Sequence, residues 1–498
     1  MNYLFQSLKT YLKTRTKGNI FQIRNQDPST ILDNMDKDIN ISKLVFQGGD
    51  ERLDLLSNGL NKYYINPIEY KGILLRGSCT CNPLNSFSHQ AIVKKFGEGD
   101  VDFEALRDQH TARLKKLFNY DGQDAFDIIF APSGSDLPYI PLLFSKLLSP
   151  EKDIKLLLTC PEELGSGSQM AFLGKNFSAK VQFGTSTGVG EDINPLYNIG
   201  MERFSARNKK GEIIDNKLAL EKIVASDDKN SIIGALVIGS KSGIEDDISI
   251  VPDVSSKVMW VVDLCQLRNS KKLVNQLLDK NCLVMITGSK FYMSPPFSGA
   301  ILVPKKLSEK IKSVDVNSVA EYLDGYKELF SIHDFPKEWS DLRKKFRNQL
   351  NKGLVVRWEA ALHLMERFDD VPRAVSQRII ADWNSYVTQC IDKSKFLELM
   401  PQQDQTNQTI ISFRVKDQDG KWLDYEALKT LHKAIVTTPF EFEKFDKVLI
   451  GQPVRYSNGA FLRFALGAYN IIKISNKKEE DRYTVDQRLV SHIDQLIK

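Results

Sequence analysis

From about residue 100 the sequence alternates short apolar runs with longer amphipathic stretches, which restricts the chain to strands joined by crossover helices around a mainly parallel sheet. Residues 127–131, 155–159, 179–183, 233–238, 258–262, 283–287 and 300–303 are predicted strands, with helices over 137–148 and 166–173. The polar, glycine-bearing stretch 184–208 reads as an elaborated surface loop. Seven such strands make one large α/β domain. Residues 307–368 turn helical and charged, with helices expected over 338–347 and 355–367 bridging to a second domain. Beyond them, apolar runs at 409–413 and 461–465 and helices over 425–435 and 486–497 compose a smaller α+β domain. The expected division is an N-terminal helical extension (1–60), a large domain (61–335), an interdomain helix (336–370) and a small domain (371–498).

In an open parallel sheet the ligand sits beyond the carboxyl ends of the strands, so the residues just after each strand carry the chemistry. The first strand runs into Ser133-Gly134-Ser135-Asp136, a small-residue turn whose amides and hydroxyls suit a phosphate or serve as a helix cap. The strand 258–262 ends in Asp263, with Gln266 three residues on; the carboxylate either caps the next helix or meets a buried cation. The strand 283–287 ends at Thr287 and is followed by Ser289 and Lys290, which places hydroxyls beside a lysine at the end of a buried strand.

A formal charge of +5, from 68 basic and 63 acidic residues, is too small an excess to argue for a nucleic-acid partner, although it permits an anionic ligand. Six dispersed cysteines fit a reducing compartment. Cys79 and Cys81 are the one close pair; with no second pair or histidine cluster beside them they read as a plain loop. The first 25 residues hold five basic side chains and no acid, with apolar residues at helical spacing: an amphipathic opening helix, a pattern that an organelle-targeting segment shares. No apolar run reaches membrane-spanning length, and a cytoplasmic protein is expected.

Asp-x-x-Gln after one strand and Thr-x-Ser-Lys after another, about two dozen residues on, resemble the pyridoxal-phosphate enzymes of fold type I, especially the class V aminotransferase and cysteine desulfurase branch. The resemblance runs in order over roughly residues 60–475. It implies pyridoxal 5′-phosphate as cofactor, carried by Lys290 as a Schiff base, with Asp263 at the pyridinium nitrogen and Gln266 at the phenolic oxygen. Ser133, Gly134, Ser135, Thr287 and Ser289 would surround the phosphate. It also implies that Arg463, in the 461–465 run, clamps the α-carboxylate of an amino acid or related amine, with Arg455 as the other candidate, and that the protein is a homodimer with active sites at the subunit interface.

Three departures mark a divergent member. Ser289 stands where the branch usually has histidine before the lysine, 160–165 offers no aromatic to stack on the ring, and 293–299 replaces the usual glycine-containing turn. No cysteine lies between Cys390 and Arg463, which argues against desulfuration. Transamination is the expected reaction; a lyase or decarboxylase on the same cofactor, and a non-catalytic binding protein of this fold, are the alternatives. A nucleotide-binding α/β protein would need a glycine-rich loop where the 133–135 turn supplies one glycine.

Overall fold

The computed structural model describes residues 43–497 except 70, 78–81, 98–99, 119–123, 252–256, 269–270, 402–406 and 458. The amphipathic opening helix and the Cys79–Cys81 pair lie outside the described residues. Among those described, twelve strands numbered along the chain form two sheets. The larger has the order β2-β8-β7-β6-β5-β3-β4. Its members are β2 (Phe126–Ala131), β3 (Ile154–Thr159), β4 (Ile199–Phe204), β5 (Ser231–Val237), β6 (Val258–Asp263), β7 (Leu283–Thr287) and β8 (Gly299–Pro304). Its pairings are parallel except those of β8, which runs antiparallel to both β2 and β7.

Alternate residues of these strands feed two separate cores, as a two-residue side-chain period requires. Ile129, Leu156, Ile233, Met285 and Ile301 pack on α3 (Tyr139–Leu148) and α7 (Lys305–Lys312). Ile128, Phe130, Leu157, Val284 and Leu302 face the other layer, which includes α2 (Phe103–Phe118), α6 (Lys271–Asp279) and α8 (Lys352–Asp369). Helices on both faces explain why these strands read as near-continuous apolar runs.

The smaller sheet has the order β1-β11-β12-β10-β9. It comprises β1 (Ile73–Arg76), β9 (Leu397–Leu399), β10 (Ile410–Val415), β11 (Lys447–Tyr456) and β12 (Gly459–Ala465). β1 lies inside the span expected for the large domain, yet it pairs in parallel with β11. Arg76 at its end grips Asp486 of α12 (Thr484–Ile497) through two contacts, Nε at 2.5 Å and Nη2 at 2.7 Å, with both side chains buried. The chain before α1 (Ser86–Phe96) therefore crosses from one sheet to the other, and this crossing brings residues 50–64 over the cleft between them.

Four further expectations differ from the structure. Over 43–60, the described part of the helical extension expected over 1–60, a helical stretch at 43–45 is followed by turns. The alternating run 179–183 is no strand: it folds back through Gly184 (φ +83°) with a bridge from Lys180 to Ser186. The sheet edge is β4, inside the stretch read as a loop, whose half-exposed Met201, Glu202 and Arg203 give no apolar signal. In the span 336–370, helix is continuous only in α8, and the run 338–347 forms the single turn Ser340–Arg343.

Candidate active site

A cavity of about 360 Å³ opens where the carboxyl ends of β2, β6 and β7 face the small domain. It gathers Ser133, Gly134 and Ser135 after β2, Asp263 at the end of β6, Thr287 at the end of β7 with Ser289 and Lys290 just beyond it, and Arg463 from β12. These residues come from separate parts of the chain: the larger sheet brings the strand-end groups together, and the smaller sheet supplies Arg463.

The large-domain wall is held by short hydrogen bonds. Asp136 folds back to accept from Ser133 N at 2.8 Å and Ser133 Oγ at 2.6 Å, which ties the turn to itself and sets both serine side chains on the cavity wall. A Cβ on Gly134 would come within 3.0 Å of Thr287 Cγ2 and 3.1 Å of Cys265 Sγ, so only glycine sits easily there. Asp263 Oδ1 accepts from Cys265 N at 2.8 Å, and Thr287 Oγ1 donates to the Cys265 carbonyl at 2.7 Å. The backbone of Ser289 and Lys290 is pinned by Asn82, whose Nδ2 donates to both carbonyls at 3.1 and 3.2 Å. Past Lys290, Met293 and Phe297 take left-handed backbone (φ +48° and +77°) where glycine would be relaxed. Asn85 holds the Met293 carbonyl at 3.2 Å, and the fully buried Arg357 holds that of Phe297 at 2.6 Å, so the surroundings over-determine the strained turn.

Gln266 is the one expected site residue that does not line the cavity. Leu267 adopts φ +49°, which folds Arg268 back so that its Nε donates to Gln266 Oε1 at 3.0 Å.

The residue most plainly missed from sequence is Arg52. Its guanidinium donates to Ser133 Oγ at 3.0 Å and Ser135 Oγ at 3.1 Å while Asp50 grips it from behind at 2.6 to 3.0 Å. Phe297 lies beneath it, 4.6 Å from the guanidinium carbon to the ring centroid. The two hydroxyls and the guanidinium thus converge on one end of the cavity, an arrangement that suits an anion. The only sequence signal for this was Gly48-Gly49 before Asp50-Glu51-Arg52, a turn followed by an ion-pair spacing.

On the small-domain wall Arg463 is buried at 1 % exposure and donates to the Gln452 carbonyl at 2.6 Å. A bulge between Gly451 and Val454 puts Gln452 and Pro453 into the cavity, and a Cβ on Gly451 would sit 2.9 Å from Arg463 Cζ. Arg455 points instead to solvent, over Tyr425. Helix α10 (Tyr425–Thr437), capped by Asp424, presents Tyr425, Lys429 and His432 to the cavity at helical spacing. At the turn after β3, Gly165 and Ser168 line the wall and no aromatic residue does.

Burial sets the charge states. It pushes Asp136 up to about 6, with Ser133 and Arg52 opposing and Asp50 assisting. It brings His432 down to about 4, with the Ile450 carbonyl opposing and Arg463 assisting, so this imidazole is neutral near pH 7. Contact of its Nε2 with that carbonyl at 3.3 Å makes Nε2 the protonated nitrogen and leaves Nδ1 an acceptor. Cys265, the cysteine among the described lining residues, has its thiol raised well above the ordinary value by burial, and Asp263 adds to the shift; it is no thiolate nucleophile.

No family model matches the chain, and no curated protein matches its sequence. Solved structures do match. Ureidoglycine-glyoxylate aminotransferase from Bacillus subtilis aligns with a TM-score of 0.54 at 11% identity over 86% of this chain and 93% of its own. The chain has the fold of the fold type I aminotransferases. Alanine-glyoxylate aminotransferase from Nostoc sp. aligns with a TM-score of 0.54 at 14% identity, covering 87% and 97%. Oryza sativa TDC, solved with PLP and tryptamine, gives 0.51 at 11% over 86% and 84%. Among the described residues, no helix is long and apolar enough to cross a membrane, and no cluster of three or more His, Cys, Asp or Glu side chains is placed to hold a metal ion.

Proposed function

We propose that the cavity binds pyridoxal 5′-phosphate and that the protein is an aminotransferase acting on an amino acid or a related amine. The observation that carries this reading is the placement of Lys290, Asp263 and the Ser133–Ser135 hydroxyls around one cavity, with Arg463 on the opposing wall. The donor set fits the group. Arg52, Ser133, Ser135 and the 133–135 turn answer its phosphate, and Asp263 answers its ring nitrogen. Ser289 and Thr287 lie beside Lys290. Thr287 commits its proton to the Cys265 carbonyl, so its oxygen is left to accept. Gln266 is assigned no contact with the ring; it holds Arg268 in place instead.

When bound, this cofactor supplies an electron sink for the bonds at the substrate Cα. The protein's part is to hold and orient. Asp263, its Oδ1 fixed by Cys265 N, keeps a proton on the ring nitrogen. Arg463 receives the substrate carboxylate in the parallel two-bond geometry that a guanidinium favours. The Lys290 amine would stand near the substrate Cα and would take up its proton. Neutral His432 borders Arg463 without competing for the carboxylate. A homodimer is part of the same reading, and sedimentation of the purified protein measures it.

The test is amino-group transfer to a 2-oxo acid across a panel of amino acids in the presence of pyridoxal 5′-phosphate. Transfer that disappears in Lys290→Ala is expected. Cofactor uptake with carbon dioxide release or elimination in place of transfer would overturn the aminotransferase assignment.

A further inference from the structure

The cavity holds more positive charge than an amino acid with one carboxylate uses. Arg52 answers the phosphate, Lys290 the cofactor and Arg463 the α-carboxylate, yet Lys62, Lys241 and Lys429 line the same space. Asp263 is the only carboxylate among the described lining residues. The three lysines come from three segments: the N-terminal crossing, the loop after β5, and α10.

Lys62 is presented by a specific turn. Asn61, buried at 1 % exposure, accepts from Tyr63 N at 2.9 Å and Ile65 N at 3.3 Å, and Tyr64 is held at φ +63°. Left-handed backbone at a tyrosine is strained, and such strain gathers where a side chain must be aimed. Among the described residues no carboxylate lies within ion-pair distance of Lys62. Lys429 pairs with Glu426 at 3.0 Å, both about half or more exposed, and a pair of that kind is readily exchanged for a ligand anion. Lys241 donates to the Leu164 carbonyl. The volume of about 360 Å³ sits near the lower end of the range of roughly 300–1,000 Å³ for small-molecule sites, so a distal group must be close to the reacting carbon.

We propose that the substrate carries a second anionic group, a carboxylate or a phosphate on a short side chain, read by Lys62 and Lys429 with Lys241 beside them. The proposal rests on the amino-acid reading of the cavity. It makes the substrate an acidic or phosphorylated amino acid and gives the oxo product at least two negative charges.

Calorimetry on the full chain, with and without pyridoxal 5′-phosphate, compares glutarate and 3-phosphonopropionate with butyrate, which has one carboxylate. At low salt, at least one dianion binds at least about tenfold more tightly than butyrate. The double variant Lys62→Met/Lys429→Met brings the ratio to within about twofold. Stronger binding of the phosphonate assigns a phosphate as the distal group, and stronger binding of glutarate a carboxylate. Equal binding of all three, or a ratio unchanged in the double variant, overturns the proposal. Visible absorbance of the same samples reports cofactor uptake, so failure of the cofactor reading shows as a missing band whatever the ratio does.

Discussion

The two walls of the cavity are built differently. The large-domain wall consists of strand ends whose polar groups are locked to one another: Ser133 to Asp136, Asp263 to Cys265 N, Thr287 to the Cys265 carbonyl, and the Lys290 backbone to Asn82. The small-domain wall offers side chains on a helix face and a strand bulge: Arg463 donates to the Gln452 carbonyl, His432 meets the Ile450 carbonyl and Lys429 pairs with an exposed Glu426. Rigid strand ends suit groups that must meet reacting atoms to a fraction of an ångström. A helix face and a bulge can vary without disturbing the sheet, which suits recognition of one substrate among many.

If this division holds, substitutions on the two walls separate in kinetics. Asp263→Ala is expected to lower kcat by about 10²–10³-fold with substrate KM little changed, because the carboxylate acts on the reacting system alone. Steady-state turnover of cofactor-loaded protein measures it, and a pure KM effect would break the comparison. On the other wall, Gly451→Ala crowds the buried Arg463, whose Cγ, Nε and Cζ would each lie 2.9 Å from the new Cβ. It should raise KM for the amino acid by about 10²-fold and lower kcat less, as loss of a charge-assisted carboxylate contact does.

A pH series sharpens the large-domain side. Asp136 titrates at about 6 in the folded protein and near 4 when unfolded. Between these values the folded state holds the extra proton, so this group's contribution is most favourable below pH ~4 and declines as the pH rises to ~6. Relative to Asp136→Asn, the wild type should lose up to about 3 kcal/mol across that window, measured by denaturant unfolding at each pH. Smallest of the expected effects, Arg52→Gln weakens cofactor affinity about tenfold and leaves substrate KM unchanged, because the Ser133–Ser135 turn still lines that end of the cavity. Equilibrium titration by visible absorbance reads it.

The same contrast explains how legible each wall was in the sequence. The ends of buried strands stand out because an apolar run stops at a polar residue, and this picked out Ser133, Asp263 and Lys290, which the fold brings to one cavity. Arg463 was legible as the inward residue of an alternating strand. Lys429 and His432 were not: on α10 they sit at positions that an amphipathic helix fills with polar residues in any case, and nothing local says that the face meets a cavity. Arg52 and Lys62 lie in a segment of turns with no periodicity, placed over the site by β1, a four-residue strand too short to register as one. Gln266 shows the converse. Its spacing from Asp263 was suggestive, but a left-handed residue at 267 redirected the chain, and backbone handedness at a leucine is not written in its neighbours.

The central claim is that Lys290 carries the cofactor. Its most direct test is borohydride reduction of the protein after incubation with pyridoxal 5′-phosphate, followed by mass spectrometry of the proteolytic peptides. A yellow protein whose visible band bleaches on reduction, with the pyridoxyl group fixed on the peptide containing Lys290 and absent from Lys290→Ala, is the predicted result. A protein that stays colourless, or one labelled equally at surface lysines in both forms, would contradict it.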